Sequence, residues 1–437
     1  MDLDLLAPVV GRKTPRQLLD AKKSGSKTAA LQKESEHFVK QLSILGSTGS
    51  IGRQCLSVVE SLPGRFGVVA LAAGANLEEL VGQIERHQPE LVSVGDAQLA
   101  DKLSQLLEEK GIARKPEIHH GRDGMLAVGT HGKAEIIVSA AVGVVGLEAT
   151  YEAVKLGKTV ALSNKEVLVA AGELVMAAAA KAGRELLPVD SEHNALHQCL
   201  RGGAHGEVRR LVLTASGGPF RKTPLAQLAT VTPEQALAHP NWRMGNRITI
   251  DSATMMNKGF EVIEAHWLFG FGGVQIDVVV HPQSTIHSMV AFVDGSVLAQ
   301  LGPTDMRMPI QYALTYPQRV ASKEVALDWG KLKRLDFEKA STRRFPCLRL
   351  AREAMRKGGA HPCALNAADE IAVSAFLERR LAFPGIAEVI ERVLARTARV
   401  KFETINDVLT ADAEARRMAQ EEVGRVAGEV AARVRSA

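Results

Sequence analysis

Apolar residues recur with different periods along this chain, and the change of period divides it. Between Gln41 and Val189, short apolar runs at 67–72, 91–94, 136–139 and 159–162 alternate with amphipathic stretches of helical period, and a further apolar segment occupies 186–189. This alternation predicts a doubly wound, mainly parallel sheet over 41–189, with ligand-binding loops gathered on the edge where the strands end. Between 190 and 321 the pattern changes. Runs at 210–214, 274–280 and 286–292 predict a second sheet in an α+β unit, interrupted over 217–244 by Gly217, Gly218 and four prolines, Pro219, Pro224, Pro233 and Pro240. Residues 322–343 read as a linker, and 344–437 as helical, most clearly at 364–380 and 411–435. Residues 1–40 mix Asp2, Asp4, Asp20, Glu34 and Glu36 with basic side chains. That is too acidic for a transit peptide and lacks a signal peptide's apolar core, so a poorly ordered arm or a start-site artefact is expected.

Composition then removes whole classes of function. The 437 residues, 46% hydrophobic and 24% charged, suit a soluble enzyme of two or three domains. A net charge of +5 is small for this length, and 4% aromatic residues leave no stacking platform for nucleic acid. The mildly basic balance fits small anionic ligands instead. Cys55, Cys199, Cys347 and Cys363 show no CxxC spacing, which argues against a zinc knuckle or disulfide framework and for a reducing cytoplasm. The apolar stretch 161–180 is broken by Asn164, Lys165, Glu166 and Glu173, so no membrane span is expected.

The first strand runs into Gly46-Ser47-Thr48-Gly49-Ser50-Ile51-Gly52 and then a helix-compatible stretch at 53–61. Glycines there permit a tight turn and close approach of a dinucleotide pyrophosphate, while the helix N-terminus offers free N–H groups, as in a Rossmann-like domain. The spacing differs from the standard fingerprint, so the loop by itself leaves its ligand open. The second strand ends in Ala73-Gly74-Ala75-Asn76, with no acid to hold a ribose 2′-hydroxyl. That favours NADP over NAD.

Three carboxylates carry the other chemistry. Asp190 and Glu192 follow the segment 186–189, and two positions on an extended chain project to the same side. Glu261 would arrive from a helix, with Asn257 and Lys258 on its face at helical spacing. Oxygen donors without thiolates suit Mg²⁺ or Mn²⁺. Each residue also has an ordinary reading: Asp190 or Ser191 as an N-cap, Glu192 as a first-turn acid, Glu261 as the ion-pair partner of Lys258. Gly259 costs its helix roughly 1 kcal/mol, which suggests a close approach at that point. His193 and His197 are four apart, but Asn194 stands where a zinc hydrolase's HExxH needs its glutamate. His193 is left to support the carboxylates or to pack.

Six segments in order carry a resemblance: 44–52, Ser163-Asn164-Lys165-Glu166, 188–194, Ser216-Gly217-Gly218-Pro219-Phe220-Arg221, His239-Pro240-Asn241-Trp242 and 251–259. Together they resemble the 1-deoxy-D-xylulose 5-phosphate reductoisomerase family. The resemblance implies a cytoplasmic homodimer of the non-mevalonate isoprenoid pathway. Such an enzyme rearranges 1-deoxy-D-xylulose 5-phosphate with a bound Mg²⁺ or Mn²⁺ and reduces the product with NADPH to 2-C-methyl-D-erythritol 4-phosphate. It implies an NADPH-binding domain at 41–189 and a catalytic and dimerisation domain at 190–321. Asp190, Glu192 and Glu261 would ligate the metal, and Lys165 would join them in catalysis by stabilising an oxyanion or assisting proton transfer. Ser191 and Lys165 would contact the substrate, and Ser216, Ser252, Asn257 and Lys258 would hold its phosphate. His239, Trp242, Met244 and Gly245 would belong to a lid over 217–244 and its far end, with Gly245 also touching the cofactor. Thr48, Gly49, Ser50, Ile51, Gly74, Ala75, Asn76, Asn164 and Glu166 would line the NADPH site.

Two other readings stay open at this level: a metal-dependent NADP oxidoreductase for a related polyol phosphate, and a sugar-phosphate-binding regulator without turnover. Ala75 is a departure, because family members often carry Lys or Arg there, where it can pair with the 2′-phosphate; Arg53 is the candidate substitute. NADPH should be preferred over NADH, and Ala75→Lys should tighten NADPH binding by roughly 0.5 to 1.5 kcal/mol while barely moving NADH. Parallel titrations of the two cofactors check this, with Arg53→Ala as companion. Equal effects on both cofactors would mean that neither position reads the 2′-phosphate.

Overall fold

The computed structural model describes residues 39–242, 244–322 and 326–436, with side chains to 429, so most of the 1–40 extension lies outside the described residues. From Lys40 onward the chain folds as one compact unit. Seven strands form the first sheet: β1 (Lys40–Leu45), β2 (Phe66–Ala72), β3 (Leu91–Val94), β4 (Glu117–His120), β5 (Ile136–Ser139), β6 (Thr159–Leu162) and β7 (Leu186–Pro188). Their order is β4-β3-β2-β1-β5-β6-β7, and every pairing is parallel. Side chains alternate across β1, so Leu42 and Ile44 enter one core with Leu71 and Val92 while Leu45 enters another with Ile137 and Leu162. Both faces are therefore covered, as a parallel sheet requires.

The direction of construction reverses at β1, whose neighbours are β2 on one side and β5 on the other. A crevice opens at such a switch point, outside the strand ends. The turn after β1 is built for it. Gly46 has φ +87°, and a Cβ there would fall 2.5 Å from the Ala140 carbonyl oxygen after β5, so only glycine lets these two strand ends close together.

The second sheet is mixed. Its strands are β8 (Val208–Ala215), β9 (Ile276–Val280), β10 (Ile286–Phe292), β11 (Val297–Leu301) and β12 (Glu338–Lys339), in the order β11-β10-β8-β9-β12. β8 and β9 run parallel and the other pairs antiparallel. Expectation and structure part in several places. The run at 274–280 is strand only from Ile276, after a 3-10 turn at Gly273–Gln275. β4 and β11 were not anticipated; both are edge strands with few buried apolar positions, so the alternating signal is weak. The 322–343 linker contains β12, which pairs with Val279 and Val280 and thereby joins the sheet.

Helices Pro346–Lys357, Ala360–Leu377, Phe383–Arg396 and Ile405–Ser436 make up the C-terminal region around Phe376, Ile386, Ile390, Val393 and Val423. Among the described residues no helix is long and apolar enough to cross a membrane. The helix Met256–Phe269 lies against helix 346–357, and Gly259 sits at the crossing. What approaches that glycine is a neighbouring helix, since a Cβ at 259 would stand 2.6 Å from the Cβ of Ala351.

An exposed helical Gly→Ala change normally stabilises by about 1 kcal/mol, but overpacking a tight crossing costs about 1–3 kcal/mol. Gly259→Ala should therefore lower the midpoint of guanidinium unfolding. A raised midpoint would mean that the crossing has room for a methyl group.

Candidate active site

A cavity of about 960 Å³ lies between the C-terminal edge of the first sheet and the segment from Ser216 to Glu261. One wall is the glycine turn. Gly49, Ser50 and Ile51 line the cavity at the start of the helix Ser50–Ser61, whose N-terminus is capped by no side chain among the described residues. Its free N–H groups and dipole make a site for an anion such as pyrophosphate. Thr48, Gly74, Ala75 and Asn76 lie outside this lining, at the ends of β1 and β2. Asn76 caps the next helix, accepting from the Glu79 N–H at 3.3 Å. Arg53 is exposed and also outside the lining, so the structure does not bring it to the cavity.

Beyond β5 and β6 the wall is fixed by Asn164. Its amide donates to the carbonyls of Ala141 and Gly143, and its oxygen accepts from the Glu166 N–H at 3.1 Å. The Asn164 side chain thus holds the loop after β5 in place. Glu166 lines the cavity and pairs with Arg247 at 3.1 Å.

At the other end three elements deliver charge to one point. Lys165 sits at the start of the helix Glu166–Ala182, Asp190 stands at the N-cap position of the helix Ser191–Leu200 without a side-chain capping bond, and Glu261 projects from helix 256–269. The expectation of an extended chain at 190–192 is corrected here: Asp190 is an N-cap position and Glu192 a first-turn residue, as in their ordinary reading. Both still reach the cluster. Asp190, Glu192 and Glu261 each offer an oxygen, all within 4.8 Å of one another. The Lys165 ammonium pairs closely with Asp190, donates to Asn257 at 2.8 Å and lies 3.4 Å from Glu261. Lys258 pairs closely with Glu261 and lies 3.6 Å from Glu192, while Ser191 donates to Glu192 at 2.8 Å. Behind them, fully buried, His193 contacts the Glu261 carbonyl at 2.8 Å and Glu264 at 3.2 Å.

Burial pulls the Lys165 ammonium towards neutrality, but Asp190 and Glu261 outweigh it and hold its pKa well above the usual value. Asp190 is held low because Lys165 overcomes its own desolvation. Glu192 is pushed up to about 8 by burial, with Glu261 and Asp190 adding to the effect against Lys258. Glu264 is raised well above its normal range by burial and then by Asp190. Four carboxylates thus face two ammonium groups, and the excess must be met by protons or by a cation. An all-oxygen donor set fits a hard divalent ion such as Mg²⁺ or Mn²⁺.

Ser216, Ser252, Asn257 and Lys258 all line the cavity. His239 organises that side. Its Nδ1 accepts from the N–H groups of Asn241 and Trp242, so Nε2 carries the proton and donates to Ser216 Oγ at 3.1 Å. Ser216 Oγ also accepts from the Gly218 N–H, leaving its own O–H free to donate to a ligand oxygen. Trp242, Met244 and Gly245 line the same cavity, with the Trp242 ring 6.3 Å from that of His287. Much of the segment 217–244 expected as a lid is tied into the C-terminal core: Phe220, Leu228 and Ala236 are buried there and Val231 and Leu237 pack against it, so only the part beyond Leu237 is outside that core.

Several site residues escaped the sequence reading. Asn241 lay inside a quoted motif without a role, and it donates to Pro282 O at 2.7 Å and Ser284 Oγ at 2.9 Å, tying the segment after Leu237 to the turn before β10. Glu264, Arg247 and the cavity-lining stretch Thr304-Asp305-Met306-Arg307 gave no local signal at all.

A dinucleotide crevice opening onto an oxygen-donor metal site defines a metal-assisted, nucleotide-dependent oxidoreductase. Comparison with known proteins narrows the class. Residues 42–172 match the model of 1-deoxy-D-xylulose 5-phosphate reductoisomerase, 186–269 that of its C-terminal domain, and 301–418 a further DXP reductoisomerase C-terminal domain. The reductoisomerase of Solibacter usitatus is 51% identical over 397 residues, which is 90% of this chain and 100% of that protein. That of Symbiobacterium thermophilum is 51% identical over 88% of this chain and 98% of its own length. The Zymomonas mobilis enzyme solved with NADPH superposes with a TM-score of 0.82 at 43% identity, covering 88% of this chain and 99% of that one. A DOX-P reductoisomerase solved with NADPH, fosmidomycin and magnesium gives 0.83 at 37% identity, covering 88% and 98%. The chain belongs to the 1-deoxy-D-xylulose 5-phosphate reductoisomerase family.

His287, almost fully buried beneath this site, has its pKa lowered to about 4 by desolvation. Between pH 6.5 and 4 the unfolded chain therefore binds a proton there that the folded chain does not. Stability should be fully present above about 6.5 and fall as pH drops towards 4, with His287 contributing on the order of 2–3 kcal/mol. Urea unfolding at stepped pH checks this: His287→Asn should flatten the slope in that window, and an unchanged slope would remove His287 as its source.

Proposed function

We propose that this chain converts 1-deoxy-D-xylulose 5-phosphate to 2-C-methyl-D-erythritol 4-phosphate, using NADPH and a divalent metal ion, in the non-mevalonate isoprenoid pathway. The observation that supports it best is one cavity joining the uncapped helix at Gly49 to the carboxylates Asp190, Glu192 and Glu261. The structural relatives bound to NADPH and magnesium agree with that arrangement.

Asp190, Glu192 and Glu261 are the residues that would hold the ion, whose chemistry is to polarise the substrate's ketone and neighbouring hydroxyl oxygens while the carbon skeleton rearranges. NADPH supplies the hydride. Lys165, kept charged by its carboxylate neighbours, is placed to stabilise negative charge developing on a substrate oxygen. Asn257, between Lys165 and Glu261, holds the two in register. Ser216, Ser252, Asn257 and Lys258 offer hydroxyl, amide and ammonium donors to the phosphate. Ser191 orients Glu192 and faces the substrate. Trp242, with His239 setting the backbone beneath it, closes over the ligand and excludes water. Gly49 to Ile51, Asn164, Glu166 and Gly245 form the cofactor's bed within the cavity, and Thr48 and Gly74 to Asn76 extend it beyond the cavity along the ends of β1 and β2.

We take the working form to be a cytoplasmic homodimer. β11 leaves an open sheet edge with Val297 and Leu298 exposed, and an unpaired apolar edge invites a partner strand.

Turnover should stop on chelation and return with Mg²⁺ or Mn²⁺, and Asp190→Asn or Glu261→Gln should abolish it with the fold intact. Product identification by mass and NMR, alongside circular dichroism of each variant, checks both. Full activity in chelator or in either variant would remove the metal from the reaction.

A further inference from the structure

Arg247 belongs to none of the groups above, yet among the described residues it is buried against four carboxylates. It lies near the start of the helix Asn246–Thr254, immediately after the lid, and lines the cavity. One terminal nitrogen is 3.1 Å from Glu166 and 2.5 Å from Glu370; the other is 2.8 Å from the Asn366 amide oxygen and 3.6 Å from Asp369. Its Nε is 3.7 Å from Asp251. Four carboxylates surround one guanidinium, but they are not equal. Asp251 is raised to about 6 and Asp369 well above its usual value, in each case by burial first. Those two therefore carry protons more readily, and the charge of Arg247 is left to Glu166 and Glu370.

These two partners sit on either side of the cofactor wall. Glu166 follows Lys165 and opens the helix after β6. Glu370 comes from helix 360–377 and is braced from behind by Arg416 at 2.5 Å. It also packs on the loop after β5. A Cβ on Gly143 would stand 2.7 Å from Glu370 Oε1, and the carbonyl of Gly143 is the one held by Asn164. The glycine loop after β1 takes the pyrophosphate, so the other half of the doubly wound sheet, at the ends of β5 and β6, takes the nicotinamide half of the cofactor. That half must lie beside the metal carboxylates, because its hydride goes to the substrate held there.

We propose that Arg247 is a positioning residue for cofactor use, anchored by Glu370 of the C-terminal helices and fixing both Glu166 and the loop 141–146 that form the nicotinamide side of the cavity. The assignment rests on the function proposed above in naming the cofactor as NADPH and in placing its nicotinamide half beside the metal carboxylates. It gives the C-terminal helices a function in the active site: they supply the fixed end of a bracket that crosses from Arg416 through Glu370 and Arg247 to Glu166. Arginine is required because a lysine has one compact charge and cannot meet Glu166, Glu370 and Asn366 at once.

The test uses the full chain with Glu370→Gln, Arg247→Lys and Arg247→Gln. Glu370 never touches the cavity, and its neutral variant relieves an acid-rich cluster, so it should fold even if Arg247→Gln does not. NADPH binding is followed by cofactor fluorescence without substrate, beside melting temperature, Mg²⁺ affinity by calorimetry, and KM and kcat for the sugar phosphate. Glu370→Gln and Arg247→Lys should weaken NADPH binding about tenfold, the effect of losing roughly one charge-assisted contact, with Mg²⁺ affinity and the KM of the sugar phosphate unchanged. Unchanged NADPH affinity in folded Glu370→Gln would overturn the proposal, as would an equal loss of all ligands or a lower melting temperature alone. Wild-type protein that binds NADPH but does not convert the sugar phosphate would refute the proposed function while leaving this test standing.

Discussion

An excess of buried carboxylates over cations at the junction of the two sheets constrains everything else in this molecule. Asp190, Glu192, Glu261 and Glu264 share a small volume with Lys165 and Lys258, and much of it is closed to water. Like charges that close cannot all ionise in a low-dielectric interior without compensation. Burial and mutual repulsion favour the protonated forms of Glu192 and Glu264. A divalent ion meets the imbalance with charge that remains available for chemistry.

The surrounding architecture keeps that arrangement rigid. Lys165 is placed by the end of β6, Asp190 by the end of β7, and Glu261 by a helix locked to its neighbour through Gly259 and Ala351. None of the three stands on a free loop, so ligand geometry does not have to be assembled on binding. The segment between the two sheets is fastened at both ends: Phe220 packs edge-on against Phe383 in the helical core, and His239 is bonded to Ser216. On the facing wall Asn164 fixes the loop after β5, and Arg247 pairs with Glu166 and Glu370.

Much of this was legible in the sequence because its signals are local. The glycine turn after β1, the strands β3, β5 and β6, and the spacing of Asn257, Lys258 and Glu261 each fit within one element. Asp190 and Glu192 were recognised as partners for the wrong geometric reason: the pair turns into a helix, and what brings both to one place is the N-terminal turn. Gly259 was read as room for an unspecified close approach, and the structure fills it with Ala351. The invisible features are those in which partners are remote. Arg247 meets Glu166, Asn366 and Glu370 across more than eighty residues of chain, and no periodicity encodes such a meeting. β12 was hidden for a related reason, since two polar residues become a strand only when β9 is there to pair with them.

If the carboxylate excess governs this site, metal binding must displace protons, and that displacement can be counted. Calorimetric titration of Mg²⁺ or Mn²⁺ into the chelator-treated protein near pH 7, repeated in buffers of different ionisation enthalpy, measures it directly. The account predicts binding of about one ion per chain with release of roughly one proton, lost when Glu192 is changed to Gln. Binding without proton release, or no binding, would contradict it.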